Sequence, residues 1–218
     1  MSKERTESFT CPVCGHQGEF TLWESVNVDL DESLREKVLS GELFDWVCPS
    51  CGQRIHIKYG TLYHDMKHQF MVFYDPSEEA GPVRNIEIPE MFASLGDYKY
   101  RQVTTENDLR EKIMILETGL SDVAIEYAKY TLRHFRYKEE IQETDDIRFA
   151  GFEQREDEPE PVIVFVILDE DYERRASCFI TLDEYDGFRN KELTDYRFQV
   201  GQCEIVNQEW IDAKLKML

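Results

Sequence analysis

The chain has 218 residues, of which 41% are hydrophobic and 12% aromatic, enough to bury a sizeable core in one or two domains and to exclude wholesale disorder. Its 45 acidic and 25 basic residues give a formal charge of −20, a surface that repels phosphate backbones and argues against nucleic acid as a partner. The longest apolar run, Val162 to Leu168, is too short to span a bilayer, and the charged start carries no visible signal peptide, so no membrane segment is expected.

The first motif is Cys11-Pro12-Val13-Cys14-Gly15. Behind it Phe20, Leu22, Val26 and Val28 recur with a period of two and predict a strand. Asp29 or Asp31 can cap a short helix through Leu34, Val38 and Leu39, which Gly41 ends. Leu43 to Val47 leads as a strand into a second motif, Cys48-Pro49-Ser50-Cys51-Gly52. Strands are expected at Arg54 to Tyr59, Phe70 to Tyr74 and Tyr98 to Val103, with a connector over Asp75 to Pro82. Thr105 to Asp108 has the spacing of a capping box and opens a helix bearing Leu109, Ile113 and Leu116, ended by Gly119. Ser121 caps a second helix, and this helical hairpin is expected to pack on the preceding sheet or on itself. Beyond residue 140 the pattern changes. Strands are read at Ile147 to Phe152, Val162 to Leu168, Ser177 to Leu182 and Tyr196 to Val200, and a last helix is capped by Asn207. The predicted class is α+β: a zinc-ribbon domain with a helical insertion and hairpin over residues 1–140, then a small α+β unit over 141–218.

A Cys-x-x-Cys turn presents two thiolates to one metal, and a second such turn completes a four-sulfur tetrahedral site. The 33 residues between Cys14 and Cys48 carry the helical insertion. A redox dithiol sits at a helix N-terminus after a strand, where the helix dipole lowers a thiol pKa. Here each pair is followed by glycine and then a strand, which points to structural zinc (Zn2+) held by Cys11, Cys14, Cys48 and Cys51. Paired cysteines without a secretory signal also point to a reducing cytoplasm.

The two Cys-Pro-x-Cys-Gly motifs, Ser40-Gly41-Glu42-Leu43 before the second of them, and Tyr63-His64-Asp65-Met66 together resemble the CpXC domain family. The resemblance covers roughly residues 8–135, and nothing in 141–218 takes part in it. That family is found in bacteria and archaea and is functionally uncharacterised. It implies a zinc-ribbon-like site at the four cysteines and lends no catalytic residue and no substrate class.

His64 and His68, with Asp65 between them, form the most enzyme-like constellation, although the segment is read as a turn in which these side chains fix the backbone. Asp169-Glu170-Asp171 reads as a solvated turn. Cys178 reads as an inert strand thiol and Cys203 as a more exposed one. Arg54, His56 and Lys58 share one strand face, too small a basic patch to carry nucleic-acid binding.

The expectation is therefore a cytoplasmic zinc protein that meets an unidentified protein partner, or a second copy of itself. Trp23, Phe44 and Trp46 are candidate contacts, with core burial as their competing fate. A metal-dependent enzyme with a second site at His64 and His68, and a nucleic-acid-binding zinc ribbon, are the alternatives.

Overall fold

The computed structural model describes residues 2–77, 86–87, 96, 98–195 and 202–215. It is a mixed α+β chain with five α-helices among the described residues. None of these is long and apolar enough to cross a membrane. Contacts divide the chain into two compact units, Met1–Arg110 with Gly201–Glu204, and Glu111–Val200 with Ile205–Leu218.

In the first unit, β1 (Lys3–Thr10) pairs antiparallel with β2 (Gln17–Asn27). Alternation buries Phe20, Leu22 and Val26 of β2 and leaves Glu19 and Thr21 exposed. Helix α1 (Glu32–Ser40) buries Leu34 and Val38 and ends at Gly41. A single 3-10 turn, Glu42–Phe44, leads into β3 (Asp45–Val47), which pairs antiparallel with β4 (Arg54–His56). Then come β5 (Thr61–Asp65), β6 (Phe70–Tyr74), the two-residue β7 (Ile86–Glu87) and β8 (Lys99–Val103).

The main sheet has the order β1-β2-β5-β6-β8. Strand β2 joins β5 in parallel only over Ser25–Asn27, so its first half runs past the sheet with β1 as a two-stranded ribbon. Tyr63 and Phe70 stack in the core beneath, and Phe44 packs among Tyr59 and Tyr74.

Two of these strands differ from expectation. Strand β1 is exposed along its length except at Phe9, so it has no apolar face to detect and is held by its ladder to β2. Strand β5 occupies the Tyr63-His64-Asp65 segment read as a turn, and the turn itself follows at Met66 to Gln69.

In the second unit, α2 (Glu106–Glu117) begins before the division and continues across it, and α3 (Asp122–Thr131) runs into a π-helical turn, Leu132–Arg136. Strands β9 (Asp146–Glu153), β10 (Val162–Leu168) and β11 (Arg174–Ile180) form an antiparallel meander. Helix α4 (Leu182–Asp195), the short β12 (Gln202–Cys203) and α5 (Gln208–Leu215) complete the described chain; β12 belongs to the first unit, where it pairs with β7.

Ile115, Leu120, Ala124, Ile125, Ala128 and Leu132 of the helical hairpin share one core with Ile147, Phe149, Ile163, Phe165 and Ile180 of the meander. The hairpin thus packs with the C-terminal sheet, and the contact division falls at Arg110/Glu111 instead of near residue 140. Helix α4 lies where no element had been read between two strands. The expected strand at Tyr196 to Val200 falls outside the described residues.

Helix α3 is buried all round, and with it go three charged side chains, Asp122, Glu126 and Lys129. The Lys129 ammonium meets Glu111 at 2.7 Å and Glu126 at 3.0 Å, while Glu111 also holds Arg148 (3.0 Å) and the Phe149 N–H (2.6 Å). One lysine thus serves two carboxylates, and Glu126 Oε2 is buried without a hydrogen-bond partner. Burial pushes the Glu126 pKa up against the pull of Lys129, whereas Lys129 and Arg148 overcome burial and hold Glu111 down.

Candidate metal centre

The β1–β2 ribbon turns back through Cys11 to His16, and the β3–β4 hairpin turns back through Cys48 to Gln53. The two turns repeat one backbone pattern. Cys11 N–H donates to the His16 carbonyl (2.8 Å) and Gly15 N–H to the Cys11 carbonyl (2.9 Å). Cys48 N–H donates to the Gln53 carbonyl (2.9 Å) and Gly52 N–H to the Cys48 carbonyl (2.9 Å). Gly15 and Gly52 sit at φ 73° and 71°, the left-handed conformation that lets each loop close without a Cβ penalty.

Closing in this way aims both thiols of each turn at the other turn. The four sulfur atoms lie within 4.8 Å of one another. Across the gap, Cys11 Sγ is 3.7 Å from Cys51 Sγ, and Cys14 Sγ is 3.6 Å from Cys48 Sγ. A tetrahedron with metal–sulfur bonds of about 2.3 Å has edges of about 3.8 Å, so the cluster has the dimensions of a four-thiolate metal site. Four close cysteines of this kind can hold a metal ion.

Cys11 and Cys48 are buried, while Cys14 and Cys51 are exposed. Burial works to raise the Cys48 pKa, but the Cys51 and Ser50 N–H groups and the Cys51 and Cys14 thiols outweigh it and bring it to about 6. The Gln53 N–H favours the Cys51 thiolate, yet the Cys14, Cys48 and Cys11 thiols, together with burial, push Cys51 to about 12. Thiolates crowded together repel one another, and a cation bound among them would offset that repulsion.

Beneath the sulfurs lies a small core of Phe20, Leu22 and Trp46, flanked by Phe9, Ile55, Ile57 and Tyr59. The Trp46 indole meets Phe9 edge-on, with ring centroids 5.0 Å apart, and its N–H donates to the Glu19 carbonyl (3.0 Å). Gly18 lies against the same ring: a Cβ there would be 2.7 Å from Trp46 Cζ2. Of the three aromatic residues named as candidate contacts, Phe44 and Trp46 are core residues, and Trp23 alone is partly exposed. The part played by Phe9 and Gly18 was not read from sequence. The aromatic at the end of a charged strand was the available signal.

The other candidates separate. His64 stands on β5, with Nδ1 3.4 Å from the Asn27 amide nitrogen and Nε2 3.3 Å from the Tyr98 hydroxyl. Burial holds its pKa below the ordinary histidine value. His68 lies in the following turn, where Asp65 accepts its backbone N–H (2.8 Å) and meets its Nδ1 (2.7 Å). Among the described residues, the four cysteines are the only group of three or more His, Cys, Asp or Glu side chains able to converge on one ion. Asp169 accepts the N–H groups of Asp171 and Glu173 and so closes a turn.

Cys178 is buried, as read, and burial pushes its thiol to about 11. Cys203, expected to be more exposed, is also buried, and its thiol is pushed to about 12. The small basic face is largely spent within the protein. Arg54 Nη1 is 3.0 Å from Asp45, and His56 joins Asp45 (3.0 Å) to Glu106 (2.5 Å).

No curated protein and no solved structure matches the chain. A family model described as CpXC protein matches residues 9–129, more than half of the 218. That span takes in both cysteine turns and most of the helical hairpin, so the resemblance read from the cysteine motifs is real, and the chain belongs to the CpXC protein family, whose function is unknown.

Proposed function

We propose that this protein binds one zinc ion through Cys11, Cys14, Cys48 and Cys51, and that the ion clasps a zinc ribbon that acts as a protein-interaction module in the cytoplasm. The observation that carries the reading is the convergence of four sulfurs from two hairpin tips of the same backbone design. Tetrahedral four-sulfur sites select zinc or iron, and spacing of this kind is typical of structural zinc. When bound, zinc supplies a closed, redox-inert clasp. With four protein ligands it has no open position for a substrate, so its role is to hold the two tips over a core too small to stand alone.

The interaction role is supported by the partly exposed Trp23 on β2 and by the acidic surface, which favours cationic partners. The enzyme reading would need His64 and His68 to share an ion, but each is bonded to other neighbours. The test is capture from nuclease-treated lysate with the full, metal-loaded chain and with the chelated chain. A protein retained in stoichiometric amount by the loaded chain and lost on chelation is expected. Retention of none, or of nucleic acid alone, would contradict the interaction role.

A further inference from the structure

We infer that the two hairpins leave a slot for one extra strand, and that the occupant is an extended, basic segment of a partner protein. The inference rests on the interaction-module reading and names the partner's chemistry. A cleft of about 310 Å³ lies between β2 and β3, at the small end of the roughly 300–1,000 Å³ typical of ligand pockets. Among the described residues, both strands that line it have an edge without a strand partner. From Gln17 to Glu24, β2 pairs with β1 alone, and β3 pairs with β4 alone.

The hydrogen-bond phase fixes which residues face the slot. Cys11 N–H to His16 C=O sets the ladder of β1 and β2, so the even-numbered residues of β2 point to β1 and Glu19, Thr21 and Trp23 point away. Cys48 N–H to Gln53 C=O and Ile57 N–H to Phe44 C=O do the same for β3, leaving Val47 pointing outward. At either end of the β2 edge a side chain stands where a strand would. The Trp46 indole N–H donates to the Glu19 carbonyl (3.0 Å), and the Trp23 N–H donates to the Tyr59 hydroxyl (3.5 Å), which itself donates to the Leu43 carbonyl (2.9 Å). Between these two bridges lies Thr21, exposed, with Val47, 51% exposed, on the other wall. A peptide entering there pairs by β-augmentation, with main-chain bonds to Thr21 and Val47 and apolar side chains against Trp23 and Leu43.

Charge selects the occupant. Glu19, Glu42 and Asp45 line the cleft against Lys37 and Arg54, and Arg54 is already tied to Asp45. The whole chain adds a charge of −20, so a lysine- or arginine-bearing strand is drawn in and an acidic one repelled.

The probe is a blocked heptapeptide of alternating lysine and valine, offered to the full, metal-loaded chain and followed by backbone-amide exchange and tryptophan fluorescence. The expected result is slowed exchange at Thr21 and Val47, with affinity weakened about tenfold when the valine amides are N-methylated, since two or so backbone bonds are then lost. A glutamate–valine heptapeptide is expected not to bind. Thr21→Pro, which removes one edge donor, should weaken binding while metal content stays at the wild-type value.

Equal affinity of the N-methylated peptide, or free exchange at Thr21 and Val47 under saturating peptide, overturns the inference. Self-association of the chain through these same amides in the absence of peptide also overturns it. These outcomes are separable from the interaction reading. A stoichiometric partner still captured by Thr21→Pro would leave that reading standing and the slot refuted.

Discussion

Gly18→Ala tests whether the packing under the sulfurs and metal binding form one equilibrium. The added Cβ lands 2.7 Å from Trp46 Cζ2, so one of the two must retreat by roughly 0.8 Å to reach ordinary carbon contact of about 3.5 Å. The indole has little room to give. It is buried, lies edge-on to Phe9, and is held to the Glu19 carbonyl. Overpacking of a fitted core costs about 1–3 kcal/mol, and a strained or lost indole hydrogen bond costs about 1 kcal/mol more. If the tip folds only with metal, this cost of about 2–4 kcal/mol appears as a fall in zinc affinity of roughly 30- to 700-fold. Competition against a chromophoric chelator measures it. Gly187→Ala in α4, where a Cβ meets nothing within 4 Å, is the control and should leave affinity unchanged. Gly18→Ala with affinity within twofold of wild type would refute the coupling of the small core to the metal.

In the second unit, Lys129→Met should destabilise by about 3–5 kcal/mol, because it strands the buried Glu126 carboxylate and takes one of two cations from Glu111, and chemical denaturation reads this directly. The raised Glu126 pKa sets the sign of the pH dependence: its contribution is fully present below the unfolded value and is lost as pH rises through the folded value. Glu126→Gln should therefore flatten the fall in stability above the ordinary carboxyl range, and an unchanged slope would contradict that assignment. Burial opposes the charged form of His56, but its bonds to Asp45 and Glu106 raise its pKa. Its NMR titration midpoint should lie above the ordinary 6.5, with the contribution of these contacts present below 6.5 and lost above the midpoint. Cys178 and Cys203 should stay silent to a thiol reagent in the native protein, since burial raises both thiols, while chelation exposes the four cysteines of the metal cluster to it.

What could be read from the sequence follows the physics of each signal. The cysteine turns were legible because bringing four thiols within reach of one ion constrains both residue type and spacing, and β2, β6 and β10 were legible because one or both faces are apolar. Strand β1 was not, since Lys3 to Thr10 owes its place to backbone pairing and shows no pattern of its own. Helix α4 has a weak apolar stripe, but its start was written in Thr181 and Glu184. Glu184 N–H donates to Thr181 Oγ1 (3.2 Å), and Thr181 N–H donates to Glu184 (2.9 Å), a reciprocal capping box that went unread. The helical hairpin was found, but not the sheet it packs with. Leu109, Ile113 and Leu116 announce a buried stripe without naming what covers it. His64 and His68 looked like a pair because they are four apart, a spacing that brings side chains together on a helix; a strand followed by a turn does not do so.

The central claim is tested most directly by elemental analysis of the folded chain, purified without chelator or added metal, beside Cys48→Ser. The account predicts one zinc per chain in the wild type and its loss from the variant, with the β3–β4 tip unfolded. No bound metal, iron in place of zinc, or unchanged zinc in Cys48→Ser would contradict it.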